Sequence, residues 1–254
     1  PQSGGPIRGQ SAIVRLAGDT WEEMLQVDRD MLHVRFPAKP NEAKKKEKTE
    51  ELKALEKVLK RNPTHPGAIH LYIHAVEASA TPDRALPYAD RLGAQMPGAG
   101  HIVHMPAHIY YRVGLYRQSL AVNRQAIAVD EAYFRTSPSD PLYKSAYYPH
   151  NIHFVMVSAQ AGGDGRTALE AAAKLDASLP DDVVRAFAIL QPVKAAPYTT
   201  HAQFSGPEAI LALPAPPGDL ALVRTMYHYA RAVAYAGRRD AAGAGREIDA
   251  IRAL

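Results

Sequence analysis

Along most of the chain, apolar residues recur every three or four positions, the period of an amphipathic helix. Almost no stretch alternates with the period of two that marks a strand. Leu52, Leu55 and Leu59 trace one apolar stripe on an otherwise charged segment, which predicts a helix over residues 40–60. From Asn62 onward, apolar-periodic stretches are separated by proline or glycine. These breaks fall at Asn62-Pro63, Thr81-Pro82, Met96-Pro97-Gly98, Gly114, Ser137-Pro138, Gly162-Gly163, Leu179-Pro180, Leu213-Pro214 and Gly237. Helices of about 12 to 15 residues punctuated in this way predict an all-α fold of helical hairpins stacked as a solenoid. Residues 1 to 38 differ in texture. They carry Gly4, Gly5 and Gly9, an apolar stretch from Ser11 to Leu16, and a helix-like run from Asp19. Asp19 or Thr20 would cap that run, with Glu22 and Glu23 favourably placed against the helix dipole.

The helical region repeats. His70 and His104 are 34 positions apart, and so are His74 and His108. A period of about 34 residues is that of the tetratricopeptide repeat (TPR). The stretch from His104 to Ile127 resembles that family's pattern, with Ala107 and Tyr110 in a first helix and Gly114 and Tyr116 at the turn. Ser119 and Ala126 follow in a second helix, where small residues let paired helices approach closely. Asn123 stands where the pattern has a bulky residue. Further copies start near Pro66, with Ala85, Ala89 and Leu92, and near Tyr148, with Ala168 and Ala172. Weaker copies fall at 185–213 and 220–254, the last with Ala230, Ala234, Gly237 and Ala241.

Over residues 55–254 the chain resembles a bacterial group of tetratricopeptide-repeat proteins with histidine-rich repeats. The matching stretches are His65–Glu77, Ala99–Tyr110 and Tyr148–Phe154. That resemblance implies a fold but no settled activity. Gly4–Met24 is similar to an internal piece of the imidazolonepropionase-like amidohydrolases, enzymes built on a metal-centred (β/α)₈ barrel. The piece is far too short to form a barrel and lacks its His-x-His strand, so no catalytic residue carries over. These readings divide the chain into an N-terminal segment, 1–55, and a repeat domain, 56–254, with a seam near Glu51–Leu59. The first segment reads either as part of a fusion or as a cap on the repeat array.

The histidines carry the candidate chemistry. Seven of eleven fall in three clusters: His70 and His74; His101, His104 and His108; His150 and His153. Spacings of three and four place side chains on one helical face, and Glu77 extends the first row. The packing positions Ala107 and Tyr110 leave His101, His104 and His108 on the free side, which in a tetratricopeptide stack is the concave surface. His150 and His153 follow His101 and His104 by 49 positions, one repeat plus an insertion near 131–147. Imidazole and carboxylate ligands suit zinc, copper or iron. The eight candidates His70, His74, Glu77, His101, His104, His108, His150 and His153 exceed one ion's needs and would serve two, or supply outer-layer support.

Glu77 is a candidate ligand or general base, and Arg112 a clamp for a substrate carboxylate or a salt-bridge partner. Tyr72, Tyr110, Tyr111, Tyr147 and Tyr148 are expected to line the same groove, Tyr111 as a catalytic donor or redox-active neighbour. Met96, Met105 and Met156 are expected in the core, although Met105 and Met156 are also conceivable soft ligands for copper. Asp130 is expected at a helix end. His33, His65, His201 and His228 are read as ordinary structural or surface residues.

These features predict a metal-dependent enzyme, hydrolytic or oxidative, acting on a small molecule or peptide in the concave groove. The competing reading is a non-catalytic scaffold that binds a peptide or protein there. The net charge of +4 does not predict nucleic-acid binding, because Lys44, Lys45, Lys46 and Lys48 are interspersed with Glu42, Glu47, Glu50 and Glu51 as on a solvated helix face. Absence of cysteine excludes disulfides and thiolate ligands. No apolar run approaches the roughly 18 residues of a membrane span, so a soluble protein is expected. A chain beginning at Pro1 without methionine reads as mature or truncated, which fits a periplasmic or secreted location if a leader was removed.

Overall fold

The computed structural model describes residues 42–137 and 141–254. The expected helix from Asp19, the glycine-rich opening, His33 and the amidohydrolase-like piece lie outside the described residues. Among the described residues all regular structure is helical, and no helix is long and apolar enough to cross a membrane. The described residues divide into two compact units, one formed by 42–137 and 141–179 and the other by 180–254.

In the first unit, α1 (Glu42–Arg61) is the expected charged helix. Leu55 and Leu59 are buried and Leu52 packs beside them. The proposed seam near residue 55 lies inside this unbroken helix. α2 (Pro66–Val76) starts where His65 Nδ1 accepts the Ala68 N–H at 3.2 Å, followed by Pro66 in the first turn, where its missing N–H costs nothing. Its buried face is Ala68, Ile69, Tyr72, Ile73 and Val76, which turns His70 and His74 the other way. A short 3₁₀ turn (Pro82–Ala85) leads into α3 (Leu86–Gln95).

Next come α4 (Gly100–His104) and α5 (Pro106–Arg112), separated only by Met105, whose backbone stays helical. Pro106 interrupts the hydrogen-bond ladder without turning the chain, so His101, His104 and His108 keep helical spacing. α6 (Tyr116–Thr136) packs against both, then against α7 (Pro141–Ala161), which pairs with α8 (Gly165–Ser178).

Two turns in this unit share one construction. Gly114 and Gly163 adopt φ of 81° and 76°, and the next residue's N–H reaches back five positions, Leu115 to Tyr110 and Asp164 to Ala159. This is the Schellman ending, which needs a left-handed residue and so favours glycine. The two glycines are 49 positions apart, the same offset as between His101 and His150.

The second unit holds α9 (Asp181–Ala186), α10 (Gln191–Phe204), α11 (Pro207–Leu211), α12 (Ala221–Gly237) and α13 (Ala241–Arg252). α12 packs on α10, α11 and α13. Between α12 and α13 the same turn recurs with Arg239 at φ 59° and Asp240 N–H bonded to Tyr235.

Three expectations change. Asp130 lies inside α6 rather than at its end, 2% exposed, because it is needed in the interior contact described below. Met96 is 43% exposed rather than core, since α3 ends at Gln95 and releases it. The helix expected to start near Tyr148 begins at Pro141 instead, because α7 continues through Pro149 and tolerates its missing N–H.

Candidate metal centre

Four helices of the first unit bring imidazoles together: α2 supplies His70 and His74, α4 supplies His101 and His104, α5 supplies His108, and α7 supplies His150. Three groups each place three potential ligand atoms within 4.8 Å of one another. They are His70, His74 and His101; His104, His108 and His150; and His74, Glu77 and His108. The second group is buried at His104 and His108, whereas the first opens to solvent at His74. His153 belongs to none of these groups, although its charge acts on His150.

The hydrogen bonds fix how the buried group presents itself. Asn123 Nδ2 donates to the Ser119 carbonyl at 2.7 Å, so its Oδ1, 2.6 Å from His104 Nδ1, is an acceptor. His104 therefore carries its proton on Nδ1 and, when neutral, presents a lone pair at Nε2. On the other side, Glu77 Oε2 lies 2.5 Å from His108 Nδ1, so that nitrogen donates. Neutral His108 then also presents a lone pair at Nε2, and the two Nε2 atoms face each other at 2.9 Å. Two facing lone pairs repel each other at that distance, and a cation shared between them relieves the repulsion. A tetrahedral metal with bonds of about 2.0–2.1 Å requires the nitrogens to open to roughly 3.3 Å, a small swing of the rings. Imidazoles whose outer nitrogen is held by a carboxylate or amide oxygen are the usual form of a metal-binding histidine.

Electrostatics favour the neutral, ligating form. Burial first, then the neighbouring imidazolium charges of His70, His74 and His108, push His101 down to about 4. Burial and the charges of His108, His153 and His101 push His150 down to about 3. Almost complete burial holds His104 well below the usual range. Burial alone would raise Glu77, but hydrogen bonds from His108 and His74 hold it down to about 2. Without metal, the native state therefore keeps these imidazoles neutral where an unfolded histidine, with a value of 6.5, is protonated. Between about 3 and 6.5 the unfolded chain binds more protons, so stability rises with pH in that window. Stability is expected to be complete above pH 6.5 and to fall as the pH drops toward 4, with Glu77 adding a loss of the same sign below 4.5. Thermal melts at pH 7 and pH 5 in chelator test this, and equal midpoints would refute it.

His101 is anchored by a second network. Asp130 accepts from Tyr143 Oη at 2.8 Å and from Asn151 Nδ2 at 2.8 Å, and the Tyr143 hydroxyl takes the backbone N–H of His101. That N–H belongs to the first turn of α4, which has no partner within the helix. The His101 ring meets His70, Nε2 to Nε2, at 3.2 Å, and the Tyr147 ring at 4.8 Å between centroids.

The remaining candidates separate. Tyr147 reaches the cluster. Tyr72, Tyr110 and Tyr148 do not line it as expected, because their hydroxyls bond to Glu56, Asp90 and Glu131. Tyr111 packs on Tyr116 and on Phe154, and Phe154 lies between it and the histidines. Burial raises the Tyr111 phenol, which keeps it a proton donor at neutral pH. Among the described residues, Arg112 is paired with no carboxylate. It donates to the backbone carbonyls of Glu77 at 2.7 Å and Ser79 at 3.4 Å, pinning the residue that orients His108. Met105 and Met156 are buried in the core.

Sequence reasoning missed Phe154, whose ring lies 4.8–4.9 Å from those of His104, His108 and His150 and forms the apolar wall of the centre. It also missed the role of Asn123, although Asn123 stood out as polar at a bulky position.

Comparison with protein-family models, with curated proteins and with solved structures gave no significant match to this chain. The functional reading therefore rests on the centre itself.

Proposed function

We propose that the first unit is a transition-metal centre of zinc, copper or iron type, held by His104, His108 and His150, and that it serves a metal-dependent reaction. The observation that carries this reading is the convergence of three imidazoles, two of them oriented from behind by Asn123 and Glu77. Three protein ligands leave coordination positions open, as catalytic sites do and closed structural sites do not. With a redox-inactive ion the chemistry is hydrolysis by activated water, and with copper or iron it is oxidation. The substrate is a small molecule or peptide entering from the solvent-exposed edge at His74. Glu77 acts as the orienting carboxylate, since both its oxygens are directed to imidazoles.

The helix pairs are read as tetratricopeptide-type repeat units in a solenoid. The recurring Schellman turns and the matching histidine offset support this.

Elemental analysis of the full chain, purified after supplementation with zinc, copper and iron, tests the reading. About one metal ion or more per chain is expected, and a chelator is expected to remove it. Less than about 0.2 per chain would defeat the proposal.

A further inference from the structure

Six imidazoles fall into two groups that share no member: His104, His108 and His150 on the buried side, and His70, His74 and His101 on the open side. Each group alone meets the three-ligand requirement of an open transition-metal site. The groups are close neighbours, with ring centroids 5.2 Å apart for His74 and His108 and 6.0 Å apart for His101 and His104. Glu77 joins them: its Oε1 is 3.4 Å from His74 Nδ1 and its Oε2 is 2.5 Å from His108 Nδ1. One carboxylate thus orients one imidazole of each group. The third ligand set, His74, Glu77 and His108, borrows a member from each of the others, so it is this link and not an independent third site.

From this arrangement, resting on the metal reading above, we propose that the cluster binds two late first-row transition-metal ions side by side, coupled through Glu77. The buried group fills first. Two of its three imidazoles, His104 and His108, are already aimed by Asn123 and Glu77, whereas His101 Nδ1 in the open group is buried with no partner among the described residues, so that group is less organised. Six neutral rings and one carboxylate do not balance two dications. The second ion therefore binds more weakly, against the charge of the first, and brings an anion such as hydroxide from solvent. Two ions sharing one cleft clamp both the attacking and the leaving oxygen of a substrate, which a single ion cannot do.

Zinc titration of the chelated full chain, followed by calorimetry and by metal content after gel filtration, tests this. Two zinc ions per chain are expected in two resolved steps, with a buffer-dependent proton release on the second. His70→Ala is expected to remove the weaker step and leave one tight ion. His150→Ala is expected to weaken the tight step by more than about 100-fold. A stoichiometry of one for the unmutated chain would overturn the pair while leaving the single-metal reading intact. A stoichiometry of zero would overturn both. Retention of two ions by folded His70→Ala, as judged by circular dichroism, would also overturn the pair. The unmutated stoichiometry decides the question even if a variant fails to fold.

Discussion

His108→Ala is expected to lower zinc affinity by more than about 100-fold, the largest single effect in this protein. Structural zinc sites gain about 10–16 kcal/mol from four ligands, or roughly 3 kcal/mol each, and about 1.4 kcal/mol is tenfold. His108 is the costliest ligand to lose because it faces three ways. Its Nε2 meets His104, its Nδ1 binds Glu77, and its ring packs on Phe154. Removing it also strands Glu77 with only the longer contact to His74. Asn123→Ala is expected to act less strongly, by about 10–100-fold, since it frees the His104 ring without removing a ligand. His228→Ala in the second unit, where His228 pairs with Glu247 at 2.7 Å, is expected to leave zinc affinity unchanged. Competition titration against a chromophoric chelator reads all three. Equal losses would contradict the assignment.

Gly100→Ala is expected to destabilise the first unit by about 1–3 kcal/mol, the range for forcing extra atoms into a packed interior. A Cβ there would stand 1.9 Å from Asp130 Oδ1 and 2.6 Å from its Cγ. The carboxylate cannot retreat freely, because Tyr143 and Asn151 hold it. Either α4 moves off α6 or Asp130 gives up its donors, and both loosen His101. Gly98→Ala is the matched control: nothing lies within 4 Å of its added Cβ, so no loss of this kind is expected. Thermal denaturation distinguishes the two, at about 2–4 °C per kcal/mol for a unit of this size. Equal midpoints would mean that α4 does not approach α6 as closely as described.

The same residue shows where sequence reasoning stops. Helix existence was readable because proline and glycine mark the ends and the apolar period marks the faces. His70 with His74, and His104 with His108, were readable as rows because four residues make nearly one turn. The carboxylate against Gly100 was not, since it depends on which helices touch. From the sequence alone Asp130 therefore reads as a helix-end residue. Asn123 gave a usable signal: a polar side chain at a position where packing calls for bulk must be buried and therefore needs a partner. That partner is His104. Phe154 gave none, because an aromatic beside His153 is as readily a core residue as the wall of a site. Tyr72, Tyr110 and Tyr148 were misassigned for a related reason. Proximity in sequence does not determine which side of a helix a ring leaves from, and each hydroxyl found a carboxylate elsewhere.

On the proposed reading, His104, His108 and His150 hold one metal ion, the first two through Nε2. Anomalous diffraction at the zinc edge, from crystals of the full chain grown with zinc, tests it most directly. A peak is expected at about 2.0–2.1 Å from ring nitrogens of His104, His108 and His150. A map with zinc only on surface carboxylates, or at His228 and Glu247, and none at that triad would contradict it.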